Sequence, residues 1–183
     1  HSFDGTTSDV VIGVEGYTVK EIPDWFFENR DVITSVVFPE GLIRIGSGAF
    51  RNCDGLTQIT LPGSLTEISN EAFAWCEKLT TVKISAGVTK IGNNAFNNCK
   101  AMTSIALPDY TTAIGDGAFK YTAFETFNTP AALKTLGAEV FMHNKKLTAF
   151  TITANMESIG NGAFSNCNKL ATVTVDDSEG AKL

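Results

Sequence analysis

Apolar positions return along the chain on a fixed schedule. Phe27, Phe50, Phe73, Phe96, Phe119, Phe141 and Phe164 stand 23 residues apart, except for one interval of 22 between Phe119 and Phe141. A period in this range means stacked repeats, each burying its apolar face against its neighbours. The pattern predicts a solenoid of about seven coils, roughly 34 Å long at ~4.8 Å per coil.

Each unit has three parts. The first alternates like a half-buried strand, as in Leu56-Thr-Gln-Ile59-Thr-Leu61 and Met102-Thr-Ser-Ile105-Ala-Leu107. Pro39, Pro62, Pro108 and Pro130 close four of these strands, where a residue without an N–H belongs. The second part reads as a turn built on apolar pairs three apart, such as Leu42 with Ile45 and Val88 with Ile91. Gly46, Gly92, Gly115, Gly137 and Gly160 follow these pairs and allow either positive φ or a close approach of the next coil. The third part reads as a short helical turn. Asp24, Ser47, Asn70, Asn93, Asp116 and Asn161 precede the repeat Phe by three and suit N-caps, with Ala138 breaking the pattern. Ala49, Ala72, Ala95, Ala118 and Ala163 stand immediately before the Phe, where a larger side chain would push coils apart. Phe26 and Val140 are the exceptions, and local adjustment is expected at both. Asn29, Asn52, Asn98 and Asn166, two after the Phe, suit a helix end.

Stacking these units predicts a parallel β-sheet on one side and short helical turns on the other. Residues 1–18 read as an N-terminal segment with a cap strand through Val10, Ile12 and Val14. Residues 19–175 read as the solenoid, and 176–183 as a linker or cap remnant. Glu21, Arg44, Glu67 and Lys90 form a column of alternating sign, which favours register more than strength.

Composition narrows the function classes. A formal charge of -6 and the lack of a basic run argue against nucleic acid and against electrostatic membrane binding. No apolar stretch has the length of a membrane span. The chain opens at His1, which suggests a piece of a longer protein. Cys53, Cys76, Cys99 and Cys167 all stand three after a repeat Phe. Neighbouring coils hold parallel side chains too far apart for a disulfide, so these read as free, buried, small apolar residues rather than disulfides or a zinc site.

The outward positions of the first strand form a candidate protein-binding face: Ser35, Gln58, Thr60, Thr81, Lys83, Ser104, Thr126, Asn128, Thr151, Thr172 and Thr174. Its plain alternative is a solvated surface, since Thr suits strands. Trp75, Tyr121 and His143 interrupt the Asn column on the helical side and are candidate anchors there. Their plain alternative is packing over their own coil. No Ser, Cys or carboxylate is placed to form a triad with His143, and Asp176-Asp177 lies in a polar, solvated end. No catalytic residue, metal or cofactor is expected.

The unit Ile91-Gly-Asn-Asn-Ala-Phe96-Asn-Asn-Cys99-Lys-Ala-Met102-Thr-Ser-Ile105-Ala-Leu107-Pro108 resembles the BspA-type leucine-rich repeats of bacterial surface proteins. The likeness runs from Val19 to Val175. Thr122 and Asn144 depart from the Cys position, and the unit from Phe119 is one residue short. The resemblance implies a leucine-rich-repeat solenoid that is exported, displayed on a cell surface or secreted. The family is associated with adhesion to host proteins or other cells; with the repeat unit and the absence of any reactive cluster, this makes a non-catalytic protein-binding module the expectation, and a monomer is expected. A structural spacer presenting another domain is the alternative, and a carbohydrate-binding module or enzyme is the weaker one.

Overall fold

Two lines of short parallel strands run down the body, joined in every coil by a chain of tight turns. The structure is a computed structural model and describes residues 9–12 and 18–176. Val14, the stretch 1–8 and the tail from Asp177 lie outside the described residues.

The continuous sheet is not built from the segment that alternates most clearly. Seven two-residue strands form it: Glu21–Ile22, Arg44–Ile45, Glu67–Ile68, Lys90–Ile91, Ala113–Ile114, Thr135–Leu136 and Ser158–Ile159. These are the segments that read as turns in the sequence. The second residue of each strand is apolar and packs toward the core, and in the first four strands the residue before it belongs to the charge column. Gly46, Gly92, Gly115, Gly137 and Gly160 end these strands. Their role is close approach: a Cβ on Gly92 would come within 2.6 Å of the Asn70 nitrogen in the preceding coil. The first-part strands form only pairs: Asp9–Val11 with Ser35–Val37, Gln58–Thr60 with Thr81–Lys83, and Ala149–Ile152 with Thr172–Val175. Lys83 reaches Ala106 by an isolated bridge. Residues 126–128 join no strand.

The third part is not helical. Among the described residues there is no helix, and every coil carries two left-handed residues flanking the repeat Phe. Glu71 and Trp75 flank Phe73 with φ of 54° and 63°; Asn94 and Asn98 flank Phe96 with 54° and 60°. A right-handed helix needs consecutive residues of negative φ, so none can propagate here. Backbone donors alternate instead. Gly48, Phe50 and Asn52 donate to the carbonyls of Asn70, Ala72 and Ala74 in the next coil, all at 2.9 Å. Ala49 and Arg51, between them, donate three residues back to Gly46 and Gly48. The turns thus form their own inter-coil ladder, which satisfies the backbone without a helix.

The expected N-cap residues serve the same ladder. Asn70 Oδ1 accepts from the N–H of Asn93 at 2.8 Å, and Asn93 Oδ1 from that of Asp116 at 2.9 Å. Asp24 and Asp116 do likewise for Ser47 and Ala138. Each side chain therefore caps the following coil, not its own turn. Ala138 has no acceptor to offer Asn161.

The core is a column of rings. Phe50, Phe73, Phe96 and Phe119 are fully buried and stack with centroids 5.5, 5.6 and 5.8 Å apart. Phe27 begins the column and Phe141 and Phe164 continue it. Offset stacks of this kind add to the roughly 1.5–3 kcal/mol that each buried ring contributes. The preceding alanines are buried, so coils close over them. Phe26 adjusts by turning out, 55% exposed, with its edge on Phe27; Val140 is buried without a comparable shift.

Candidate protein-binding faces

The eleven first-strand positions share one side of the body, but the strand breaks divide them. Gln58, Thr60, Thr81 and Lys83 are exposed on one strand pair, and Thr172 and Thr174 on another. Ser35 and Thr151 are half-buried. Ser104, Thr126 and Asn128 are exposed outside any strand. Ser35 donates its hydroxyl to Asp9 at 2.7 Å, which ties the N-terminal strand to the face.

Clefts lie beside the paired segments. A cavity of about 450 Å³ brings Ser35, Gln58, Thr60 and Lys83 together with Val37 and Glu40. A second, of about 600 Å³, brings Asn128 and Thr151 together with Asp109, Thr153 and Asp176. Thr81, Ser104, Thr126, Thr172 and Thr174 line neither of these cavities. The sequence could not show this division, because alternation alone assigns a side of the strand and says nothing about gaps between strands.

On the turn side, Trp75 and Tyr121 are exposed and His143 is half-buried. All three sit in the left-handed region. Tyr121 stacks on His143 with centroids 4.4 Å apart, and Asn166 Nδ2 lies 3.4 Å from His143 Nε2. Lys120 and Lys100 stand over Tyr121 and Trp75 and pair with Glu139 and Glu77, each at 2.6 Å. Asn98 separates Trp75 from the Tyr121–His143 pair, so the anchors form one ring and one stacked pair rather than a single cluster.

The structure adds two surfaces. A groove of about 470 Å³ crosses the continuous sheet, lined by small residues from Ala113 to Gly160 with Glu67 and Lys90 at one end. Its signal was the glycine column. Trp25 and Phe26 expose 45% and 55% of their surface on the first coil. The signal for Phe26 was its place in the alanine column. Trp25 lies over Gly48, whose Cβ would come 1.9 Å from the indole.

The charge column is weaker than its alternation suggests. Arg44 Nη1 lies 3.9 Å from Glu21, while its closer partner is Asp24. The hydrogen bond from Ser47 N–H, helped by Arg44, holds the Asp24 carboxyl below its ordinary value. Glu67 and Lys90 stand opposite each other in register on neighbouring strands.

The four cysteines are free and buried. Each thiol donates to the carbonyl of the preceding coil's Phe: Cys53 to Phe27 at 3.1 Å, Cys99 to Phe73 at 3.2 Å, Cys167 to Phe141 at 3.0 Å. Burial pushes the Cys53 thiol up to about 12 and raises Cys76, Cys99 and Cys167 as well. Protonated, hydrogen-bonded thiols of this kind are poor nucleophiles. Among the described residues no group of His, Cys, Asp or Glu is placed to hold a metal, and no helix is long and apolar enough to cross a membrane.

The family model described as the BspA type leucine-rich repeat region matches residues 20–148 and 136–180, in six copies. No curated protein sequence matches. Among solved structures, a leucine-rich repeat protein of T. pallidum is 27% identical over 91% of this chain and 79% of its own, with a TM-score of 0.82. A leucine-rich repeat protein of Bacteroides ovatus is 25% identical over 97% of this chain, with a TM-score of 0.84. The pneumococcal vaccine antigen PcpA, 23% identical over 93% of this chain with a TM-score of 0.65, shares the fold. The chain spans 50% of the Bacteroides structure and 51% of the pneumococcal one. With its repeats matched along nearly the whole length, the chain belongs to the BspA-type leucine-rich repeat family.

Proposed function

We propose that the chain is a non-catalytic, surface-displayed protein-binding module that acts as an adhesin toward proteins of a host or of other cells. The observation that carries this reading is the first-strand face. It presents mostly short polar side chains from several coils, with cavities of about 450 and 600 Å³ beside them. Short Ser and Thr side chains lose little rotamer freedom on binding, so contact costs less there than on a lysine-rich surface. Surface display or secretion follows from the resemblance to bacterial surface proteins. In this reading the module works as a monomer, with residues 19–175 as its solenoid.

The test is binding of the full chain to a panel of immobilised extracellular-matrix proteins. Saturable binding is expected, and Thr81→Glu combined with Lys83→Glu abolishes it. If Trp75→Ala removes binding while the double variant leaves it intact, the turn side with Trp75, Tyr121 and His143 is the surface. Absence of saturable binding across the panel leaves the spacer reading.

A further inference from the structure

The inter-coil ladder of the turns ends at the last described coil, and its final rung carries a chemistry that the earlier rungs do not. Asn161 and Gly162 are exposed there and form the one Asn-Gly dipeptide in the sequence. The backbone nitrogen that follows an asparagine can attack its side-chain carbon and close a five-membered imide. A following glycine has no side chain to shield that nitrogen. Two hydrogen bonds oppose the reaction in a folded chain, one holding the side chain and one holding the nitrogen.

Earlier coils supply both. Asn70 Oδ1 accepts from the Asn93 N–H at 2.8 Å, while the Glu71 N–H donates to the Asn93 carbonyl at 2.8 Å. Asn93 Oδ1 accepts from the Asp116 N–H at 2.9 Å, while the Asn94 N–H donates to the Asp116 carbonyl at 2.7 Å. Asp116-Gly117 is clamped in the same way: Ala138 N–H donates to Asp116 Oδ1 at 2.7 Å, and Gly117 N–H to the Ala138 carbonyl at 2.8 Å. Among the described residues, neither the Asn161 side chain nor the Gly162 N–H has such a partner, because no coil follows to provide it. The main chain around them is nevertheless anchored. The Asn161 carbonyl accepts from Glu139 at 3.0 Å, and that of Gly162 from Ser165 at 2.9 Å.

We propose that Asn161 is a site of spontaneous deamidation in the folded protein. The Gly162 nitrogen gives its proton to hydroxide and bonds to Asn161 Cγ. The side-chain nitrogen takes up a proton and leaves as ammonia. Water then adds across one of the two imide C–N bonds, giving aspartate or isoaspartate. The net change is hydrolysis of one amide, with no oxidation or reduction. The product adds a negative charge to a chain of formal charge -6. Isoaspartate also reroutes the main chain through the side-chain carbon, beside the carbonyl that accepts from Glu139. The reaction is independent of protein binding.

The experiment incubates the full chain in mildly alkaline buffer and follows it by mass spectrometry, with peptide fragmentation to locate the exchange of an amino group for a hydroxyl. The expected result is conversion at Asn161, within about threefold of its rate in the urea-unfolded chain, while Asn70 and Asn93 stay intact. The rate rises with pH, since the attacking nitrogen must lose its proton. Asp116→Asn builds a second Asn-Gly pair inside the ladder, where it should react at least about tenfold more slowly than Asn161, because two hydrogen bonds must open first. Gly162→Glu, which copies Glu71 and Glu139 at the equivalent position, should suppress the reaction at Asn161. Circular dichroism checks that both variants fold. An Asn161 that stays intact in the folded chain but reacts in urea overturns the proposal. Equal rates at the two Asn-Gly pairs, or an unchanged rate in folded Gly162→Glu, overturns it as well.

Discussion

The coils from Phe27 to Phe96 and those from Phe119 to Phe150 solve one problem with different chemistry. In the earlier coils a cysteine thiol from each following unit satisfies the Phe carbonyl of the unit before it. The later region lacks two of these cysteines and one residue of the repeat. There Asn144, fully buried, takes over: its Nδ2 donates to the carbonyls of Phe119 at 2.7 Å and Phe141 at 3.1 Å. Its Oδ1 accepts from the Thr122 hydroxyl at 2.7 Å and the Phe124 N–H at 3.1 Å. The shortened turn leaves the Phe124 amide in need of an acceptor, and an amide side chain supplies one where a thiol would do so poorly. Phe124, Phe127 and Phe150 fill the space beside it with a second ring cluster. The repeat thus requires a satisfied carbonyl and a filled volume at these positions, not a particular residue.

Truncating the shared column should produce the largest effect. Phe96→Ala is expected to cost about 3–5 kcal/mol. Gln58→Ala, on the exposed face, should stay within about 0.5 kcal/mol. Denaturant unfolding compares the two; equal losses would mean that inside and outside have been exchanged.

Next in size is Asn144→Ala. Two buried carbonyls, a hydroxyl and an amide lose a partner together, for about 2–4 kcal/mol. Asn144→Cys should recover only part of this, since the Phe124 N–H stays unpaired. Full recovery would show the shortened repeat to be an ordinary one.

The thiols give a third contrast, between ends rather than coils. Cys76 and Cys99 should react with a thiol reagent only as fast as the chain unfolds, while Cys167, in the last described coil and 9% exposed, reacts first. The folded state holds a proton that the unfolded chain releases above the ordinary thiol value of 9.0, and Cys53 is pushed up to about 12. Stability should therefore fall as pH rises from about 9 toward about 12. Cys53→Val should flatten that slope; an unchanged slope would assign it to other groups.

The smallest effect is a gain. Ala138→Asn offers the Asn161 N–H the kind of acceptor that Asn70 and Asn93 give the coils after them, and should add about 0.5–1 kcal/mol. A loss would mean that this junction is too tight for the side chain, a possibility set by Gly160, whose Cβ would lie 2.3 Å from the Ala138 nitrogen.

Much of this was legible in the sequence, and the limits have physical causes. The Phe column, the alanines that let coils close and the free cysteines follow from spacing, because identical positions of successive coils superimpose. The helical turns did not materialise. Asp, Asn and Ser look like N-caps to local reasoning, but in a stack their nearest open N–H belongs to the next coil. Asn29, Asn52, Asn98 and Asn166 do adopt positive φ, as a helix end would require, yet Trp25, Glu71 and Glu139 adopt it too, against their steric preference. That second left-handed position carries no reliable residue signature, so the turn type stayed hidden. Pairs such as Lys90–Ile91 were too short to show strand alternation, although they form the continuous sheet. The candidate face was legible residue by residue; its division follows from which neighbouring first-part strands pair and which do not, which the alternation of one strand does not reveal.

Scalar couplings across hydrogen bonds would test the turn ladder most directly. In a deuterated, isotope-labelled chain, the account predicts couplings from the amide nitrogens of Phe50, Phe73 and Phe96 to the carbonyl carbons of Ala72, Ala95 and Ala118. Couplings from these nitrogens to carbonyls four residues earlier in their own coil would show helical turns and contradict it.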